Sequence, residues 1–510
     1  MKKTAVILMF LTIITKILSF AREVVLSYFY GASAISDAYL ISMTIPGIIF
    51  SLVGVAINRT YIPIFSNIIK NQNEKEGNIF TNNIINFFII FCTAMFLIGF
   101  LFAEQIVKLF ASGFEGESLF LAVNFTKITL FGIYFTTISH ILISYLQIKN
   151  KFIVPALISV PFNIIIILSI IFSTKNLYLL AVGVVIAIFS QLLVLLFTSF
   201  KNGFKYNFLF KPKDENFKKL IYLSLPIILG SSITQINVLV DRTIASRIVV
   251  GGISALNYAT RLNNFVLGIF VLSITTVMYP SISKMAAENK FKEFKISLVE
   301  VIGIINLLLV PITIGSMIFA TPIVQLLFGR GAFSDKAIYL TSQGLIFFSV
   351  GMVGFGIKDV LTRALYSLQD TKTPMIIASI AITINIILNI ILSNFLGIGG
   401  LALATSISAI ISTILLFICL RRKIGPFGIK RLVISFVKML IASLIMGIAS
   451  KMLYNFLLLH FNGNVSLFLA ILFGAFLYFL IILFTKVDEF HIVIQGIKTN
   501  LKNCKYILKR

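Results

Sequence analysis

The sequence predicts an all-α membrane protein that crosses the bilayer about fourteen times. Of its 510 residues, 58% are hydrophobic and only 12% are charged. Soluble domains average about 45–50% apolar and about 25% charged residues. The apolar excess extends over the whole length, which excludes a soluble enzyme, a nucleic-acid-binding module and a disordered chain.

Fourteen apolar runs are each long enough to cross the roughly 30 Å of hydrocarbon as a helix. They lie near residues 4–29, 34–66, 82–110, 119–147, 152–173, 177–200, 218–247, 252–283, 296–327, 337–367, 373–394, 399–420, 432–458 and 465–485. The first run follows two lysines, as a signal peptide does, but Lys16, Arg22 and Glu23 interrupt its apolar core. We therefore expect it to be an uncleaved span.

The distribution of lysine and arginine predicts the orientation. If the N-terminus is cytoplasmic, the loops and termini on that side hold 28 of these residues and the opposite loops hold four. Positive residues accumulate in cytoplasmic loops, so we expect both termini in the cytoplasm. The net charge of +25 then reflects loops beside anionic lipid, and no nucleic-acid partner is expected.

An internal repeat predicts how the spans are grouped. The segment Gly31–Tyr39 opens the second span, and the similar segment Gly251–Tyr258 opens the eighth, about six spans later. An even number of spans gives both copies the same orientation, as in the parallel repeats of transporters. We predict two pseudo-symmetric six-helix bundles, an added helix pair and a basic cytoplasmic tail, over residues 1–203, 204–424, 425–488 and 489–510.

Charged residues that remain inside the spans predict an anionic ligand. A charge at mid-bilayer costs roughly 2.5–3.5 kcal/mol, so such residues usually face protein or water. Basic residues outnumber acids there, and the planar fork of arginine suits phosphate oxygens. The basic residues include Lys16, Arg22, Arg59, Arg242, Arg261 and Arg363; the acids are Glu23, Asp37, Asp241, Glu300 and Asp359.

Two arginines are the main ligand candidates, because we expect their charge to be uncompensated. Arg261 has no acid three or four residues away on its helix. For Arg22 and Glu23 two interpretations stay open, since they either face the ligand or pair with other helices. The same two interpretations apply to Lys16.

The other charges have structural explanations as well. Asp37 lies near the outer end of its span, where we expect a structural role or a partner in a gate. Asp359 and Arg363 are four residues apart on one helix and are expected to satisfy each other. Arg242 is close enough to a helix end to reach the membrane interface.

An oxygen-rich set suggests a hard-cation site. Asn385 and Asn389 share one helical face, and Asp241 and Thr405 lie on other spans. Amides and hydroxyls also join membrane helices to each other, which is the alternative. The chain has neither a phosphate-binding Walker loop nor a G-x-S-x-G motif. We therefore expect a transporter and not an enzyme. A sodium ion is the one candidate cofactor, and no other is expected.

Several segments are similar to a known family of membrane proteins. They are Thr15–Glu23, Tyr30–Tyr39, Ser232–Asp241, Tyr258–Arg261, Asp370–Pro374 and Gly399–Thr405. In sequence, order and spacing they resemble the MurJ (MviN) family of lipid II flippases, within the multidrug/oligosaccharidyl-lipid/polysaccharide exporter superfamily. The resemblance spans nearly the whole chain, including the two added helices.

The resemblance implies a flippase of the bacterial inner membrane with a V-shaped cavity whose basic residues bind the diphosphate of lipid II. The positions that match are Arg22, Glu23 and Arg261, with Lys16, Arg59 and Asp37 as further candidates. It also implies a sodium site formed by Asp241, Asn385, Asn389, Thr405 and the main-chain carbonyl of Leu401. The lipid tail would lie beside the added helix pair.

Two departures from the family pattern concern the ion and the cargo. A family member with a sodium site of this type has aspartate at the position of Asn389, so the site here carries one negative charge less. Many members have an arginine pair after the proline that matches Pro46, whereas the next basic residue here is Arg59. Another polyprenyl-diphosphate saccharide is therefore an alternative cargo.

Two further alternatives are less favoured by the sequence. An exporter of small cations would need an acidic cavity, which the surplus of arginine and lysine opposes. A membrane-embedded glycosyltransferase would need a positioned carboxylate and, usually, a large outer loop for its acceptor, and the outer loops here are short. We expect lipid II or a similar glycolipid, and the surrounding membrane lipids, to be the partners.

Overall fold

The computed structural model describes residues 2–485, 487, 489 and 490, and the regular structure of this part of the chain is entirely helical. The predicted fold class, an all-α polytopic membrane protein, is confirmed. The predicted basic tail, from residue 489, lies outside the described residues except for its first two positions. The helices are α1 (Lys2–Tyr30), α2 (Ala34–Asn71), α3 (Glu74–Leu101), α4 (Ala103–Phe110), α5 (Gly116–Thr129), α6 (Gly132–Ile148), α7 (Ile153–Leu157), α8 (Ser159–Phe172), α9 (Tyr178–Lys201), α10 (Glu215–Ile248), α11 (Gly252–Ala287), α12 (Phe291–Ile318), α13 (Ala320–Phe328), α14 (Asp335–Ser367), α15 (Lys372–Leu396), α16 (Ile398–Ile424), α17 (Ile429–Leu457) and α18 (Gly463–Phe484).

Each of the fourteen predicted spans coincides with one of these helices or with two in succession. Among the described residues, 12 helices are long and apolar enough to cross a membrane. The count rises to 13 if α5 and α6, which are bent by 45° at their break, form one span. The helix α1 covers the first predicted span but is not among these, so the count of fourteen stays a prediction.

The two copies of the repeat share a helix break. Phe102 separates α3 from α4 with φ −103° and ψ 24°, and Phe319 separates α12 from α13 with φ −105° and ψ 20°. An alanine follows each phenylalanine. The same local geometry therefore occurs at corresponding places in both halves, as a repeat of this length predicts.

The described chain divides into two compact units. Unit 1 contains the residues up to Ser254 together with Arg330–Ala337, and unit 2 contains Ala255–Gly329 and the residues from Ile338 onward. In unit 1, α10 packs on α2, where Thr60 Oγ1 and Ser224 Oγ are 3.2 Å apart. The helix α10 is therefore part of the unit that holds the first bundle, although the repeat groups it with the second. The boundary between the two six-helix bundles, at residues 203 and 204, was predicted from the sequence repeat, and it stays a prediction.

Aromatic side chains form much of the core of unit 1. The ring of Tyr61 stacks on those of Phe65 and Phe80, with centroid distances of 5.2 and 5.7 Å. Its buried hydroxyl lies 2.7 Å from Thr81 Oγ1, so the polar end of the ring has a partner inside the core. These contacts hold α2 against α3.

The segment that joins α9 to α10 is bound to α3 by side-chain amides. We call the four asparagines that bind it the Asn ladder: Asn78, Asn82, Asn83 and Asn86. Their amide groups donate to main-chain carbonyls of residues 203–211, which form neither helix nor strand. Asn83 makes two bonds to Lys211, donating to its carbonyl at 2.8 Å and accepting from its N–H at 2.7 Å. The ladder thus provides hydrogen-bond partners that an irregular segment lacks by itself.

In unit 2, Asp370 holds the turn between α14 and α15. Its carboxylate accepts hydrogen bonds from the N–H of Thr373 at 3.0 Å and from the Thr373 hydroxyl at 2.8 Å. It also lies 3.0 Å from Lys423 Nζ near the end of α16. These contacts, the Thr373 N–H first, lower the pKa of Asp370 to about 2. The carboxylate is therefore charged at neutral pH and ties the start of α15 to the end of α16.

The added helices α17 and α18 belong to unit 2 and pack against α12. The Tyr478 hydroxyl of α18 donates to the carbonyl of Leu307 on α12 at 3.0 Å. Around this bond the buried apolar side chains interlock: Leu307, Val310, Met439, Ala442 and Ile482. The pair therefore has a core of its own with α12.

The Asn ladder makes a testable contribution to stability. We expect Asn83→Ala to lower the free energy of unfolding by about 1–3 kcal/mol, because it removes the two part-buried hydrogen bonds between Asn83 and the main chain of Lys211. Thermal unfolding of the purified protein in detergent measures this effect. Asn71→Ala is the control, since Asn71 is exposed and bonds only to Asn67 on the same helix. Equal loss in both variants would contradict a structural role for the ladder.

Candidate functional site

The first predicted ligand residues form an ion pair on α1. Arg22 Nη2 lies 2.7 Å from Glu23 Oε1, and the two side chains are 13% and 2% exposed. The Arg22 guanidinium also lies 6.0 Å from the ring centroid of Phe162 on α8. The expectation of an uncompensated Arg22 is therefore wrong, because the neighbouring residue supplies the opposite charge. The pair has nearly no net charge, but Arg22 can still donate hydrogen bonds.

Three other predicted cations have exposed side chains: Lys16, Arg59 and Arg261. Lys16 and Arg59 belong to unit 1 and Arg261 to unit 2. All three lie within long apolar helices, where an exposed charge faces either lipid or water. Water is the far less costly neighbour, so these positions fit an aqueous surface inside the membrane.

Asp359 and Arg363 form the predicted pair on α14. Arg363 Nε lies 3.0 Å from Asp359 Oδ2, so these two residues satisfy each other as their spacing predicts. Arg242 Nη1 donates to the carbonyl of Ile253 at 3.1 Å, near the start of α11, and the expectation that Arg242 reaches the membrane interface stays a prediction.

Asp37 is the centre of a buried polar contact within unit 1. Its carboxylate is almost fully buried, at 1% exposure. One oxygen accepts from the N–H of Gly251 at 2.8 Å, and the other accepts from the N–H of Ser254 at 2.7 Å and from its hydroxyl at 2.6 Å. These groups form the first turn of α11, whose N–H groups have no partner within their own helix. Asp37 thus caps a helix more than 200 residues away in sequence.

The chain around Asp37 is packed main chain to main chain. Gly31 and Gly251 both have positive φ, at 57° and 86°. A side chain at Gly31 would place its Cβ 2.3 Å from the carbonyl oxygen of Ala332, and one at Gly251 would place it 2.4 Å from that of Ala32. Only glycine permits both the dihedral angles and this approach. We call this arrangement of residues 31–37, 251–254 and 331–332 the outer junction, because its loops belong to the predicted outer side.

Four of the five predicted sodium ligands lie together in unit 2. Asn385 Nδ2 lies 3.2 Å from Thr405 Oγ1, and Thr405 Oγ1 donates to the carbonyl of Leu401 at 2.9 Å. Asn389 Nδ2 donates to Asn385 Oδ1 at 3.0 Å. Oxygen atoms of amide, hydroxyl and carbonyl groups are the ligands that hard cations prefer, so this donor set fits a sodium ion. The fifth residue, Asp241, belongs to unit 1.

An apolar cavity of about 450 Å³ lies in unit 2 between α12, α14, α16 and α17. Its lining is almost entirely aliphatic or aromatic, with Asn306 and Thr413 as the polar side chains. A space of this composition accepts a hydrocarbon chain rather than a charged group. It borders α17, one of the two helices beside which the lipid tail was predicted to lie.

Sequence reasoning missed Ser254 and Gly251 as the partners of Asp37. The repeat contained a usable signal, because it places Asp37 and Asn257 at corresponding positions just after two loop glycines. The carboxylate of Asp37, near the start of α2, could therefore have been expected to contact the start of α11. The partner contacts themselves depend on three-dimensional packing.

The family follows from a comparison with known sequences. The family model described as "Lipid II flippase MurJ" matches residues 26–489. The chain belongs to the MurJ family. The predicted resemblance is therefore confirmed over most of the chain, although Arg22 and Glu23 precede the matched range.

Several MurJ relatives match over most of their length. A "Probable lipid II flippase MurJ" of Buchnera aphidicola subsp. Schizaphis graminum is 31% identical over 86% of this chain and 86% of its own. That of Vibrio cholerae is 30% identical over 81% and 82%. That of Thermotoga maritima is 27% identical over 95% and 96%. The matches therefore cover between 82% and 96% of the length of these three relatives.

Solved structures agree with this assignment. "Lipid II flippase MurJ, inward closed conformation" matches with a TM-score of 0.82 and 29% identity, over 94% of this chain and 99% of the other. An inward-facing multidrug resistance MATE family transporter of the MOP superfamily matches with a TM-score of 0.68 at 14% identity, over 82% and 98%. The second match shows that the MurJ fold is shared with transporters of that superfamily.

The Asp37 contact can be tested by hydrogen exchange. Asp37→Asn replaces one of the two acceptor oxygens by an NH2 group, which cannot accept, so the N–H of either Gly251 or Ser254 loses its partner. We expect amide exchange of residues 251–254 to become faster by roughly 10- to 100-fold, since a hydrogen bond to a charged group contributes about 1.5–3 kcal/mol. Ser254→Ala is the matched comparison, because it removes one donor and keeps both main-chain bonds. Unchanged exchange in Asp37→Asn would contradict the capping role.

Proposed function

We propose that this chain moves lipid II, the undecaprenyl-diphosphate-linked precursor of peptidoglycan, from the inner to the outer leaflet of the bacterial cytoplasmic membrane. The observation that carries the proposal is the match to the MurJ family model over residues 26–489. The MurJ structure that covers 94% of the chain supports it. Translocation changes no covalent bond of the cargo, so the protein acts as a transporter and not as an enzyme.

The diphosphate of the cargo requires cationic partners inside the membrane. Lys16, Arg59 and Arg261 are exposed side chains on otherwise apolar helices, and we propose that they bind this group. Arginine can bind two phosphate oxygens at once through its planar fork. Arg22, neutralised by Glu23, adds hydrogen-bond donors without adding net charge.

The isoprenoid tail of the cargo needs an apolar surface. The cavity between α12, α14, α16 and α17 offers one next to the added helix pair. We propose that part of the tail occupies this cavity while the rest stays in lipid. A tail held there keeps the head group close to the membrane interior throughout the transfer.

The outer junction is proposed to act as the gate on the outer side. Asp37 joins the start of α2 to the start of α11 through three hydrogen bonds. Release of the head group to the outer leaflet requires these bonds to break. Only these three hydrogen bonds have to break, so new contacts in the outward-open state can offset their loss.

Orientation follows from the basic loops. We propose that both termini lie in the cytoplasm, because the loops on that side hold most of the lysine and arginine residues. The cargo would then enter from the side on which lipid II is made. The outer junction would lie on the opposite side.

Another polyprenyl-diphosphate saccharide is the second candidate cargo. The observation that favours it is the absence of any charged residue between Pro46 and Arg59 on α2, where many MurJ proteins carry an arginine pair. A different head group would need different contacts at this place. The diphosphate and the tail would be bound in the same way in both cases.

A sodium ion is proposed to bind at Asn385, Asn389, Thr405 and the carbonyl of Leu401, with Asp241 as the charged ligand. A bound cation would supply a link to the sodium gradient across the membrane. The neutral amide of Asn389 in place of a carboxylate weakens the electrostatic attraction for the ion.

Transport by the purified protein tests the proposed function. Lipid II is placed in the inner leaflet of liposomes, and its appearance outside is followed with a membrane-impermeant probe. We expect Arg261→Ala to slow this appearance about tenfold or more, because a charge-assisted bond to phosphate contributes about 1.5–3 kcal/mol. Arg261→Lys should retain part of the rate, since it keeps the charge and loses the planar fork.

Arg421→Ala is the control, because Arg421 is an exposed arginine in the last turn of α16. Wild-type rates for Arg261→Ala would contradict the assignment of the diphosphate site. If the wild-type protein moved no lipid II but moved another polyprenyl-diphosphate saccharide, the second candidate would replace the first.

The sodium site can be tested without transport. Asn389→Asp places a carboxylate among the neutral oxygens, so we expect sodium to raise the thermal midpoint of this variant far more than that of the wild type. Potassium at the same ionic strength is the control for salt effects. Asn394→Asp, on the exposed side of the same helix, should show no such increase. A sodium effect of equal size in both variants would contradict the site.

A further inference from the structure

The connection between α9 and α10, residues 202–214, carries a row of exposed aromatic side chains. Tyr206, Phe208 and Phe210 occupy every second position and are 46%, 80% and 44% exposed. The chain around them forms neither helix nor strand. Apolar rings that stand together on a surface indicate that the surface meets an apolar or amphipathic neighbour.

The main chain that carries these rings is held in place by the Asn ladder. Asn86 Nδ2 donates to the carbonyls of Asn207 and Leu209, at 3.4 and 2.9 Å. The Tyr206 hydroxyl donates to Asn86 Oδ1 at 2.7 Å, which fixes one of the rings as well. Because the residues on both sides of Phe208 are bonded to α3, its ring cannot turn inward without breaking these bonds.

The position of Asn86 shows which side of α3 the connection covers. Ile90 and Leu97 follow Asn86 by about one and three helical turns, so the three residues share one face. Ile90 and Leu97 are each 53% exposed, and an exposed apolar face of a membrane helix contacts lipid. Asn86 itself lies near the start of the predicted span 82–110. The connection therefore covers the lipid side of α3 at the level where head groups meet hydrocarbon.

The charges of the connection are all positive up to the residue before Asp214. Lys205, Lys211 and Lys213 are exposed, and residues 201–213 contain no aspartate or glutamate. The acids that flank this stretch bind elsewhere in the chain. Asp214 accepts from a main-chain N–H in the first turn of α10, and Glu74 lies 2.6 Å from a lysine ammonium. The three lysines are thus available to an anion outside the protein.

We propose that the connection anchors unit 1 in an anionic lipid surface. The rings of Tyr206, Phe208 and Phe210 lie among the head groups and the first part of the acyl chains, and the lysines bind lipid phosphates. Aromatic rings are enriched at this level of a membrane, and this chain has no tryptophan to supply them. Lysines beside the membrane are attracted by anionic lipids. Another protein is the less suitable neighbour, because the same face of α3 continues into the lipid.

Tryptophan fluorescence of the full-length protein in nanodiscs tests the depth of the connection. Since the chain has no tryptophan, Phe208→Trp introduces a single reporter at a side chain that is 80% exposed. We expect lipids brominated near the head-group end of their acyl chains to quench its emission strongly. Lipids brominated near the chain ends should quench Leu97→Trp more than Phe208→Trp. Asn71→Trp, at an exposed position beyond the predicted span 34–66, should be quenched little by either lipid.

The preference for anionic lipid is measured in nanodiscs that contain phosphatidylglycerol and phosphatidylcholine, with bromine on only one of the two. We expect brominated phosphatidylglycerol to quench Phe208→Trp several-fold more strongly. Added Lys205→Gln/Lys211→Gln/Lys213→Gln should bring the ratio close to one, because each lysine strengthens the attraction roughly fivefold. The three corresponding Lys→Arg substitutions should preserve the ratio, which separates lost charge from lost folding.

The matched control is Arg421→Gln/Arg422→Gln, which removes two exposed cations at the end of α16 on the same predicted side. In the Phe208→Trp protein it should leave the ratio unchanged. A change as large as that caused by the three lysine substitutions would overturn the assignment of the anionic surface to the connection.

Three results would overturn the proposal directly. Quenching of Phe208→Trp no stronger than that of Asn71→Trp would place the connection in water. A blue-shifted emission without lipid quenching would show that a protein surface covers the rings. Equal quenching by the two brominated lipids would exclude a preference for anionic lipid. Because the nanodiscs contain no lipid II, a failure of transport leaves these measurements intact.

Discussion

Hydrocarbon provides no hydrogen bonds, so each polar group that this chain carries into the membrane needs its partner within the protein. Asp37 illustrates the constraint most fully, since both of its buried oxygens bind main-chain N–H groups at a helix start. In unit 2, Asn385 and Thr405 bind each other for the same reason. The Asp37 contact also connects two parts of the sequence that are more than 200 residues apart.

Because hydrocarbon offers no partners, the charged residues of the spans fall into two kinds. Some charges have a partner in the chain, as Asp359 and Arg363 do on α14. Exposed cations within the spans, such as Lys16 and Arg59, need water or an anion around them. A flippase for a diphosphate needs both kinds, because a rigid scaffold must present cations that are still able to bind. The ion pair of Arg22 and Glu23 lies between the two, with little net charge and a donor group that remains partly accessible.

Local patterns made most of the fold predictable. Apolar runs gave the helices, the repeat placed the starts of α2 and α11, and a four-residue spacing was enough to pair Asp359 with Arg363. The breaks at Phe102 and Phe319 were not predicted, because no proline or glycine stands at the break position itself. The bonds between Asp37 and Ser254 were not predicted either, because packing alone brings these residues together across more than 200 positions. Of the five residues that are proposed to bind sodium, four lie together in unit 2, while Asp241 belongs to unit 1.

The Asn ladder has a practical consequence for protein engineering. Connecting segments usually tolerate insertions because few bonds hold their main chain. Residues 203–211 are an exception, because α3 binds their carbonyls at several points. A fluorescent protein or an epitope tag inserted there would have to displace these bonds. A connection that looks like a linker in the sequence is thus a fixed part of the scaffold.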